Sequence, residues 1–284
     1  MMDAEYTMKR NIYAFLPARD EEENLPACLE SLLNQNVKPS KIVVVNDASI
    51  DHTAEIATSY GVDIINLTWR HESYSSPEKG WLVATIWNHA FPAPTGTEYI
   101  LQMGADAILP QNYVERLIEL MEDDPKLVIA SGSIRNEPSV RSHPRGVGRL
   151  YKAWFWNEYI QKFPLGYCAE SYPLFKALSL GLHIRSFQDL MMETKRPTIL
   201  YKAKYGYAMR ELGYFPPYAL AKCFLSFLLS PKDGIMMFKT YLTSPFKPKY
   251  RAITRFIRRY QINKLWHLKE TFKVWIARME TIEV

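Results

Sequence analysis

The sequence predicts an α/β fold in which helices flank a mostly parallel, Rossmann-like sheet. Three apolar runs, at residues 12–16, 42–45 and 62–67, alternate with segments of helical period. Such alternation is typical of βαβ units, in which a helical crossover makes consecutive strands parallel. Polar residues directly follow the first two runs, and open parallel sheets bind their ligands at the carboxyl ends of their strands.

The first two helices have clear sequence signals. The helix after the first strand is predicted to begin near Asn24, with Pro26 in its first turn. Its apolar face follows the helical spacing and contains Leu25, Cys28, Leu29, Leu32 and Leu33. Asp51 is placed to cap the next helix, which is predicted over residues 53–60 and ends at Gly61.

The middle of the chain continues the alternation. The pattern predicts a strand at 99–103, a helix at 111–123 and a strand at 127–130. Residues 136–148 are rich in Pro, Gly and Arg, a composition that suits either a mobile lid on the acceptor side or a simple basic connection. Residues 148–163 are rich in aromatic side chains, and their spacing predicts that some are buried.

The composition predicts an ordinary globular protein from a reducing compartment. The chain has 284 residues, of which 48% are hydrophobic, and this length can bury a sizeable core. Cys28, Cys168 and Cys223 are too far apart in sequence for a zinc motif or a disulfide framework. The first residues lack the apolar core of a signal peptide, and no run reaches about 18 apolar residues. We therefore expect a cytoplasmic protein, free or peripheral on the inner face of the membrane.

The positive charge is concentrated near the C-terminus. The net charge of the chain is +5, whereas residues 247–284 contain ten Lys or Arg and three Glu, a net of +7. Residues 214–284 are therefore predicted to form a basic, aromatic-rich helical region. Basic side chains and aromatic anchors on short apolar helices suit a membrane surface. The alternative is an appendage that packs on the body or on a second subunit, and no motif accompanies the charge that would indicate nucleic acid.

The polar residues after the first two strands form an ordered pattern. They are Pro17-Ala18-Arg19-Asp20-Glu21-Glu22, then Asn46-Asp47-Ala48-Ser49, then Asp51-His52-Thr53. This pattern resembles the nucleotide-binding start of the family 2 glycosyltransferases, which have the GT-A fold. Two residues depart from the family pattern, because Arg19 replaces a usual Tyr and Asn46 replaces the first Asp of a usual pair.

The resemblance implies a GT-A domain over residues 1–213, followed by a helical appendage over 214–284. It implies inverting transfer of a sugar from a UDP- or GDP-linked donor to an acceptor hydroxyl. The residues that it assigns to donor binding are Pro17, Ala18, Arg19, Glu22, Asp47, Lys79, Gly104 and Asp106. Asp47 would accept hydrogen bonds from the base or ribose, Glu22 would orient the loop, and Arg19 would stack on or pair with the nucleotide.

A divalent metal, Mn²⁺ or Mg²⁺, is implied by the region around Asp106. The family motif is Asp-x-Asp, and Gly104 takes the place of its first Asp. One carboxylate, with diphosphate oxygens and waters, can still hold such an ion, which neutralises charge on the leaving diphosphate. Asp106 could instead only cap a turn. Lys79 precedes a helix and would meet the pyrophosphate, or would remain a solvated lysine.

The catalytic base is expected at the start of a later helix. Glu170 and Ser171 stand where the family has an acidic pair, which makes Glu170 the candidate base and Asp189 the second candidate. Inverting transfer needs a carboxylate to take the acceptor proton, although a Glu at a helix start is also favourable by charge alone. Arg196 and Lys204 lie in a basic segment that in relatives helps to close over the diphosphate.

The partners implied are a nucleotide-sugar donor and a glycan or polyprenyl-linked acceptor. The alternative from another class is a sugar-nucleotide-binding or scaffold protein without turnover. Gly104, Ser171 and Asn46 favour that alternative, because each departs from a catalytic or binding motif of the family.

Overall fold

The structure is a computed structural model that describes residues 10–69, 83–196 and 202–266. The chain forms two compact units. The first comprises Met1–Leu165 and Ala169–Ile199, and the second comprises Gly166–Cys168 and Leu200–Val284. This division falls before the predicted domain limit at residue 213.

The first unit is built on one sheet with helices on both faces. Its strands are β1 (Ile12–Ala18), β2 (Lys41–Asn46), β3 (Asp63–Asn66), β4 (Tyr99–Gln102), β5 (Ala107–Ile108), β6 (Leu127–Ile134), β7 (Arg149–Lys152) and β8 (His183–Thr194). Its helices are α1 (Leu25–Leu33), α2 (Thr53–Ser59), α3 (Val83–Asn88), α4 (Tyr113–Asp123), α5 (Ala153–Tyr159) and α6 (Ser171–Ser179). The predicted α/β class is confirmed.

The strand order is β3-β2-β1-β4-β7-β6-β8-β5. Strands β3, β2, β1 and β4 are parallel to one another, and β6 is parallel to β8. Strand β7 runs antiparallel to both β4 and β6, and β5 runs antiparallel to β8. The first four strands are the Rossmann-like part that the sequence predicted, whereas β7, β8 and β5 make the rest of the sheet mixed.

The side chains of β1 and β2 alternate between two apolar layers, as expected for a sheet that is covered on both faces. Ile12, Ala14 and Leu16 pack with the buried sides of α1 and α4, whereas Tyr13 and Phe15 pack with α3, α5 and α6. The predicted apolar face of α1 is confirmed, since Leu25, Cys28, Leu29 and Leu32 are all fully buried. The unit is therefore a three-layer α/β/α sandwich.

Strand β8 contains an irregularity beside β6. Ser131 pairs with Ser186, but Ser133, two residues on, pairs with Met191. A Cβ at Gly132, between the two serines, would lie 2.0 Å from the carbonyl oxygen of Leu190, so only glycine fits there. Bulges of this kind often lie beside active sites, where they redirect side chains.

The second unit is helical. Its helices are α7 (Lys202–Glu211), α8 (Pro216–Leu229), α9 (Pro231–Thr243) and α10 (Arg251–Trp266). Its core contains Met209, Ala219, Cys223, Met237 and Tyr241. Gly206 of α7 lies against α9, where a Cβ would clash with Thr240 and with the backbone of Met237. Among the described helices, none is long and apolar enough to cross a bilayer.

Candidate functional site

The polar residues singled out in the sequence lie at one edge of the sheet. Strand β1 lies between β2 and β4, and both neighbours run parallel to it. The amide of Asp47 donates to the carbonyl of Ala18 at 2.9 Å, and the amide of Met103 donates to the carbonyl of Phe15 at 3.0 Å. The segments that follow β1, β2 and β4 therefore begin side by side at the carboxyl ends of the strands.

Arg19 and Asp47 form an ion pair across this edge. The Arg19 guanidinium donates to Oδ2 of Asp47. The Asp47 side chain is fully buried and that of Arg19 is only 12% exposed, so the pair is largely screened from water. A nucleoside that contacts the Asp47 carboxylate would therefore have to displace Arg19 or bind through it.

The loop after β1 is tied to the loop after β2. Glu22 Oε2 accepts from the amide of His52 at 3.1 Å, while the amide of Glu22 donates to Oδ2 of Asp51 at 3.0 Å. Partial burial alone would raise the pKa of Asp51, but hydrogen bonds from the Thr53 hydroxyl, the Glu22 amide and the Thr53 amide lower it below its ordinary value. These hydrogen bonds join the two loops into one rim.

Asn46 has a structural role at this rim. Its Oδ1 accepts from the amide of Ser49 at 3.1 Å and from the Ser49 hydroxyl at 2.5 Å. Its Nδ2 donates to Oδ1 of Asn66 at 2.8 Å. A carboxylate has no N–H to donate, so the departure from the usual Asp is matched by Asn66 on the neighbouring strand.

Asp106 lies in a second charged cluster, together with Glu21 and Arg196. Because β5 and β8 are antiparallel, the residue before β5 meets the residues after β8, and the amide of Lys195 donates to the carbonyl of Asp106 at 3.0 Å. Arg196 Nε donates to Oδ2 of Asp106 at 3.3 Å, and its Nη2 donates to Oε1 of Glu21. One guanidinium thus bridges two carboxylates that are 17% and 9% exposed.

The two carboxylates make this corner strongly negative. Burial raises the pKa of the Cys28 thiol to about 12, and the charges of Asp106 and Glu21 add to that effect. Burial would lower the pKa of Arg196, but its bonds to Glu21 and Asp106 outweigh burial and raise it. The corner therefore favours a bound cation, and Arg196 supplies one.

These residues fit a divalent cation whose coordination shell is completed by phosphate oxygens and water. Within the described ranges, no group of three His, Cys, Asp or Glu side chains could hold a metal by itself. Carboxylate oxygens are the ligands that Mg²⁺ and Mn²⁺ prefer, and Mg²⁺ is usually held by one or two of them together with phosphate oxygens and water. Asp106 can supply the one carboxylate, once an incoming ion displaces the Arg196 guanidinium that is bound to it.

Glu170 lies at the start of α6, where it is exposed. A Cβ at Gly146 would lie 2.6 Å from Oε1 of Glu170, so the loop before β7 passes directly against this carboxylate. The backbone carbonyl of Glu170 accepts from Arg149 Nη1 at 3.1 Å. Asp189, the second candidate base, is exposed in the irregular part of β8.

Arg149 is a buried guanidinium that holds this region together, and it is only 1% exposed. It donates to the carbonyls of Pro144 at 2.6 Å, Arg145 at 2.8 Å and Glu170 at 3.1 Å. It also donates to the Tyr151 hydroxyl at 3.1 Å. The loop before β7 and the start of α6 are thereby fastened to one strand.

The structure therefore brings Arg19 and Asp47 together, and it places Pro17, Ala18, Gly104 and Asp106 at the same sheet edge. Lys79 lies outside the described residues. Two contributions were missed from the sequence, namely the pairing of Glu21 with Arg196 and the buried network of Arg149. The Glu21-Glu22 pair was visible, but nothing in the sequence indicated that Glu21 would be buried while Glu22 stayed exposed.

Comparison with known proteins assigns the chain to a family. The model of the family described as "Glycosyl transferase family 2" matches residues 13–175, more than half of the chain. The chain belongs to glycosyl transferase family 2. The matched residues include both charged clusters except Arg196, and they include Glu170.

Curated relatives of this family 2 chain match it over short stretches. A 4,4'-diaponeurosporenoate glycosyltransferase from Staphylococcus haemolyticus is 30% identical over 111 residues, which are 39% of this chain and 28% of that protein. The protein of the same name from Staphylococcus aureus is 36% identical over 58 residues, 20% of this chain and 15% of that one. The chain thus spans a minor part of these relatives.

Solved structures support the GT-A fold of this family 2 chain. One is the mannosyltransferase PcManGT from Pyrobaculum calidifontis in complex with GDP-Man and Mn²⁺, with a TM-score of 0.56 at 13% sequence identity. The match covers 95% of this chain and 84% of the PcManGT chain. Another is the structure of residues 1–349 of S. aureus TarS, with a TM-score of 0.54 at 15% sequence identity. That match covers 70% of this chain and 63% of the TarS chain. At such identities the likeness concerns the fold alone.

Proposed function

We propose that this family 2 chain transfers a sugar, with inversion, from a nucleotide-diphosphate sugar to an acceptor hydroxyl. The observation that carries the proposal is the meeting of two charged clusters at the carboxyl ends of β1, β2 and β4, namely Arg19 with Asp47 and Asp106 with Glu21 and Arg196. The first suits a nucleoside and the second suits a diphosphate with its cation.

In this proposal the nucleoside binds at Pro17, Ala18, Arg19 and Asp47. The Asp47 carboxylate would accept from the base or ribose after Arg19 rotates, and the Arg19 guanidinium would then be available to the base or phosphate. Glu22 would keep the loop in position, a role supported by its bonds to the loop after β2. The donor would be UDP- or GDP-linked, since TarS was solved with UDP-GlcNAc and PcManGT with GDP-Man.

The diphosphate would lie near Gly104, Asp106 and Lys79. Asp106 would hold Mn²⁺ or Mg²⁺, which, when bound, stabilises negative charge on the departing diphosphate. Gly104 has no side chain to fill the space beside Asp106, where a Cβ would lie 3.2 Å from Oδ1. Arg196, once released from Asp106, would be free to pair with phosphate oxygens.

Glu170 would act as the base, with Asp189 as the second candidate. The acceptor oxygen forms a bond to the anomeric carbon as the bond from that carbon to the diphosphate oxygen breaks, and the acceptor proton passes to the carboxylate. Support for Glu170 comes from its exposure and from the close passage of the loop at Gly146. The acceptor would be a glycan or a polyprenyl-linked sugar, used in the cytoplasm or at a membrane surface.

Thermal shift with nucleotide sugars tests the proposal. UDP-, GDP- and dTDP-sugars would be added with Mn²⁺, Mg²⁺ or EDTA, because a ligand that binds only the native state raises the melting temperature. We expect a metal-dependent shift for one nucleotide that Asp106→Asn removes. Glu119→Gln is the matched control, because it removes a carboxylate that is exposed on α4. No shift with any pairing would contradict the donor site.

A sugar-nucleotide-binding protein without turnover is the second candidate. It is favoured by Gly104, which leaves only one acid in the metal motif, and by Arg196, which bonds to that acid. Donor binding without release of free nucleoside diphosphate, in the presence of both water and acceptor sugars, would support this candidate. Release of diphosphate that depends on Glu170 would exclude it.

A further inference from the structure

The second unit exposes an apolar stripe along α8. Leu220, Phe224, Phe227 and Leu228 are 45%, 61%, 40% and 53% exposed. They are spaced four, three and one residues apart, which places them on one side of the helix. The buried residues of the helix, Ala219, Cys223 and Ser226, lie on an adjacent side. The exposed side of α8 contains no charged residue, since the one charge in this helix, Lys222, is half-buried.

Helix α9 continues this apolar surface. Ile235, Phe238 and Leu242 are 56%, 42% and 60% exposed, and their spacing of three and four residues again indicates one side. The two helices are joined by Ser230 and touch directly, because a Cβ at Gly234 would lie 2.4 Å from the Cα of Phe227. We define the hairpin face as Leu220, Phe224, Phe227, Leu228, Ile235, Phe238 and Leu242.

The concentration of apolar side chains in this hairpin is unusual. Of the sixteen large hydrophobic side chains that are exposed among the described residues, nine belong to α8 and α9. Monomeric soluble proteins rarely leave contiguous apolar patches of this kind uncovered, and larger patches mark sites of association with a protein or a membrane. The hairpin face therefore requires an apolar partner.

The charge around the face selects the partner. Residues 202–266 contain thirteen Lys or Arg and two Asp or Glu, a net of +11, and one of the two acids, Glu211, is fully buried. Lys232 and Lys239 are exposed on α9, three residues before Ile235 and before Leu242. A second copy of the chain would bring the same positive charge to the contact, whereas an anionic surface would neutralise it.

The length of the helices decides how they would meet a bilayer. Helix α8 has 14 residues and α9 has 13, so each is about 20 Å long, against about 30 Å for the hydrocarbon core. Such helices are too short to span. Short helices with one apolar side and flanking lysines lie in the interface, with the apolar side chains at the acyl boundary and the ammonium groups among the headgroups.

We propose that the hairpin face of α8 and α9 inserts into the headgroup boundary of an anionic lipid bilayer. Lys232 and Lys239 lie at its margin and contact anionic headgroups. The contact deepens the proposed function and rests on it in one respect, because it would keep a polyprenyl-linked acceptor and the enzyme on the same surface. The binding to lipid itself does not depend on catalysis.

Vesicle flotation of the full chain tests the proposal. We expect the chain to float with vesicles of phosphatidylcholine and phosphatidylglycerol and to bind pure phosphatidylcholine much more weakly. Replacing Phe224 and Leu242 together by Gln should weaken binding at least about tenfold. The matched control replaces Ile50 and Leu180 by Gln, since these are equally apolar, exposed side chains of the first unit. This control should float like the wild type.

Variants of Lys232 and Lys239 test the electrostatic part of the proposal separately. Each of Lys232→Gln and Lys239→Gln should weaken binding about fivefold, since a basic residue near an anionic surface contributes about 1 kcal/mol. About 1 M NaCl should also weaken binding, because its Debye length of about 3 Å screens the attraction between the lysines and the anionic headgroups. Binding that is indifferent to salt and to both lysines would overturn the electrostatic part of the proposal.

Two further readouts separate the possible failures. The melting temperature and the thermal shift with donor should be unchanged in Phe224→Gln with Leu242→Gln, which excludes misfolding and loss of the donor site. A wild-type chain that does not float, or that forms dimers broken by this double variant, would refute the lipid contact and assign the face to a second copy. Flotation without any donor shift would instead preserve the lipid contact and contradict the proposed function.

Discussion

Restoring the missing carboxylate at position 104 should tighten metal binding. The change is Gly104→Asp. Its Cβ would lie 3.2 Å from Oδ1 of Asp106 and 3.4 Å from Cγ2 of Val147, a tight fit that the ends of these two side chains can relieve by small shifts. The introduced carboxylate could therefore reach an ion that is held by Asp106. Affinity for calcium and similar ions is tuned by the number of charged ligands, so a second acid should strengthen the site.

The magnitude follows from the charges and their exposure. Two unit charges about 4 Å apart interact by about 1 kcal/mol in water, so a dication gains about 2 kcal/mol from one added carboxylate in the hydrated limit. Asp106 is only 17% exposed, so the attraction at the site exceeds that hydrated limit. Displacing water and ordering the side chain offset part of the gain. We expect about 1–2 kcal/mol, or about five- to thirtyfold tighter Mn²⁺ binding.

Manganese titration followed by the electron paramagnetic resonance of free Mn²⁺ measures this affinity without nucleotide. Gly104→Asn is the matched control, because it adds nearly the same shape without charge and should change the dissociation constant less than about twofold. Equal tightening by Gly104→Asp and Gly104→Asn would show that charge is not the cause. If Gly104→Asp does not tighten Mn²⁺ binding, the assignment of Asp106 as the metal ligand is refuted.

Three other predictions concern the catalytic base, the buried guanidinium of Arg149 and the loss of stability at low pH. Glu170→Gln should lower kcat about 100-fold or more with the donor-induced thermal shift retained, while Asp189→Asn changes kcat little; the reverse order would make Asp189 the base. Arg149→Lys should lower the free energy of unfolding by about 2–4 kcal/mol in urea titrations, since lysine cannot satisfy three buried carbonyls; a loss below about 1 kcal/mol would contradict this. Because the folded-state pKa of Asp51 is lowered, its contribution to stability is complete above its ordinary pKa near 4 and is lost as pH falls through the folded value. Asp51→Asn should therefore flatten the fall in melting temperature as the pH is lowered below about 4, and an unchanged slope there would exclude this role.

The sequence predicted the part of the fold that repeats a local period. The apolar spacing of α1, the β-branched run of β2 and the polar residues after both strands each follow from short-range pattern. Strand β8 was not predicted. Its exposed and buried residues alternate irregularly because of the bulge between Ser186 and Met191, so neither a period of two nor a helical period is maintained.

The aromatic-rich segment shows the same limit. Tyr151, Phe155 and Trp156 are buried, whereas Trp154 is 47% exposed, although nothing in residue type separates them. Their positions depend on a change from strand β7 to helix α5 between Lys152 and Ala153, and tertiary packing decides that change. Short antiparallel strands such as β7 are too brief for a sequence period to reveal.

The residues of the candidate site likewise fall into those that the sequence could place and those that it could not. Residues that follow β1, β2 and β4 could be placed at one edge because parallel strands share that edge. The pairing of Glu21 with Arg196 could not be predicted, since it joins residues 175 positions apart through the antiparallel contact of β5 with β8. The roles of Glu170, Asp189 and the donor-binding residues remain predictions that the variants above test.

Arg196 has a consequence for the ions that the acidic corner can accept. Its guanidinium already neutralises part of the charge of Glu21 and Asp106, so the corner does not attract every cation in solution as two bare acids would. An incoming ion must displace this tethered competitor. Potassium and sodium carry one charge, as Arg196 does, and gain nothing from the exchange, whereas a dication leaves the corner with additional positive charge for a diphosphate. If Asp106 holds the metal as proposed, Arg196 would thereby favour divalent over monovalent ions by competition, without a rigid cage of ligands.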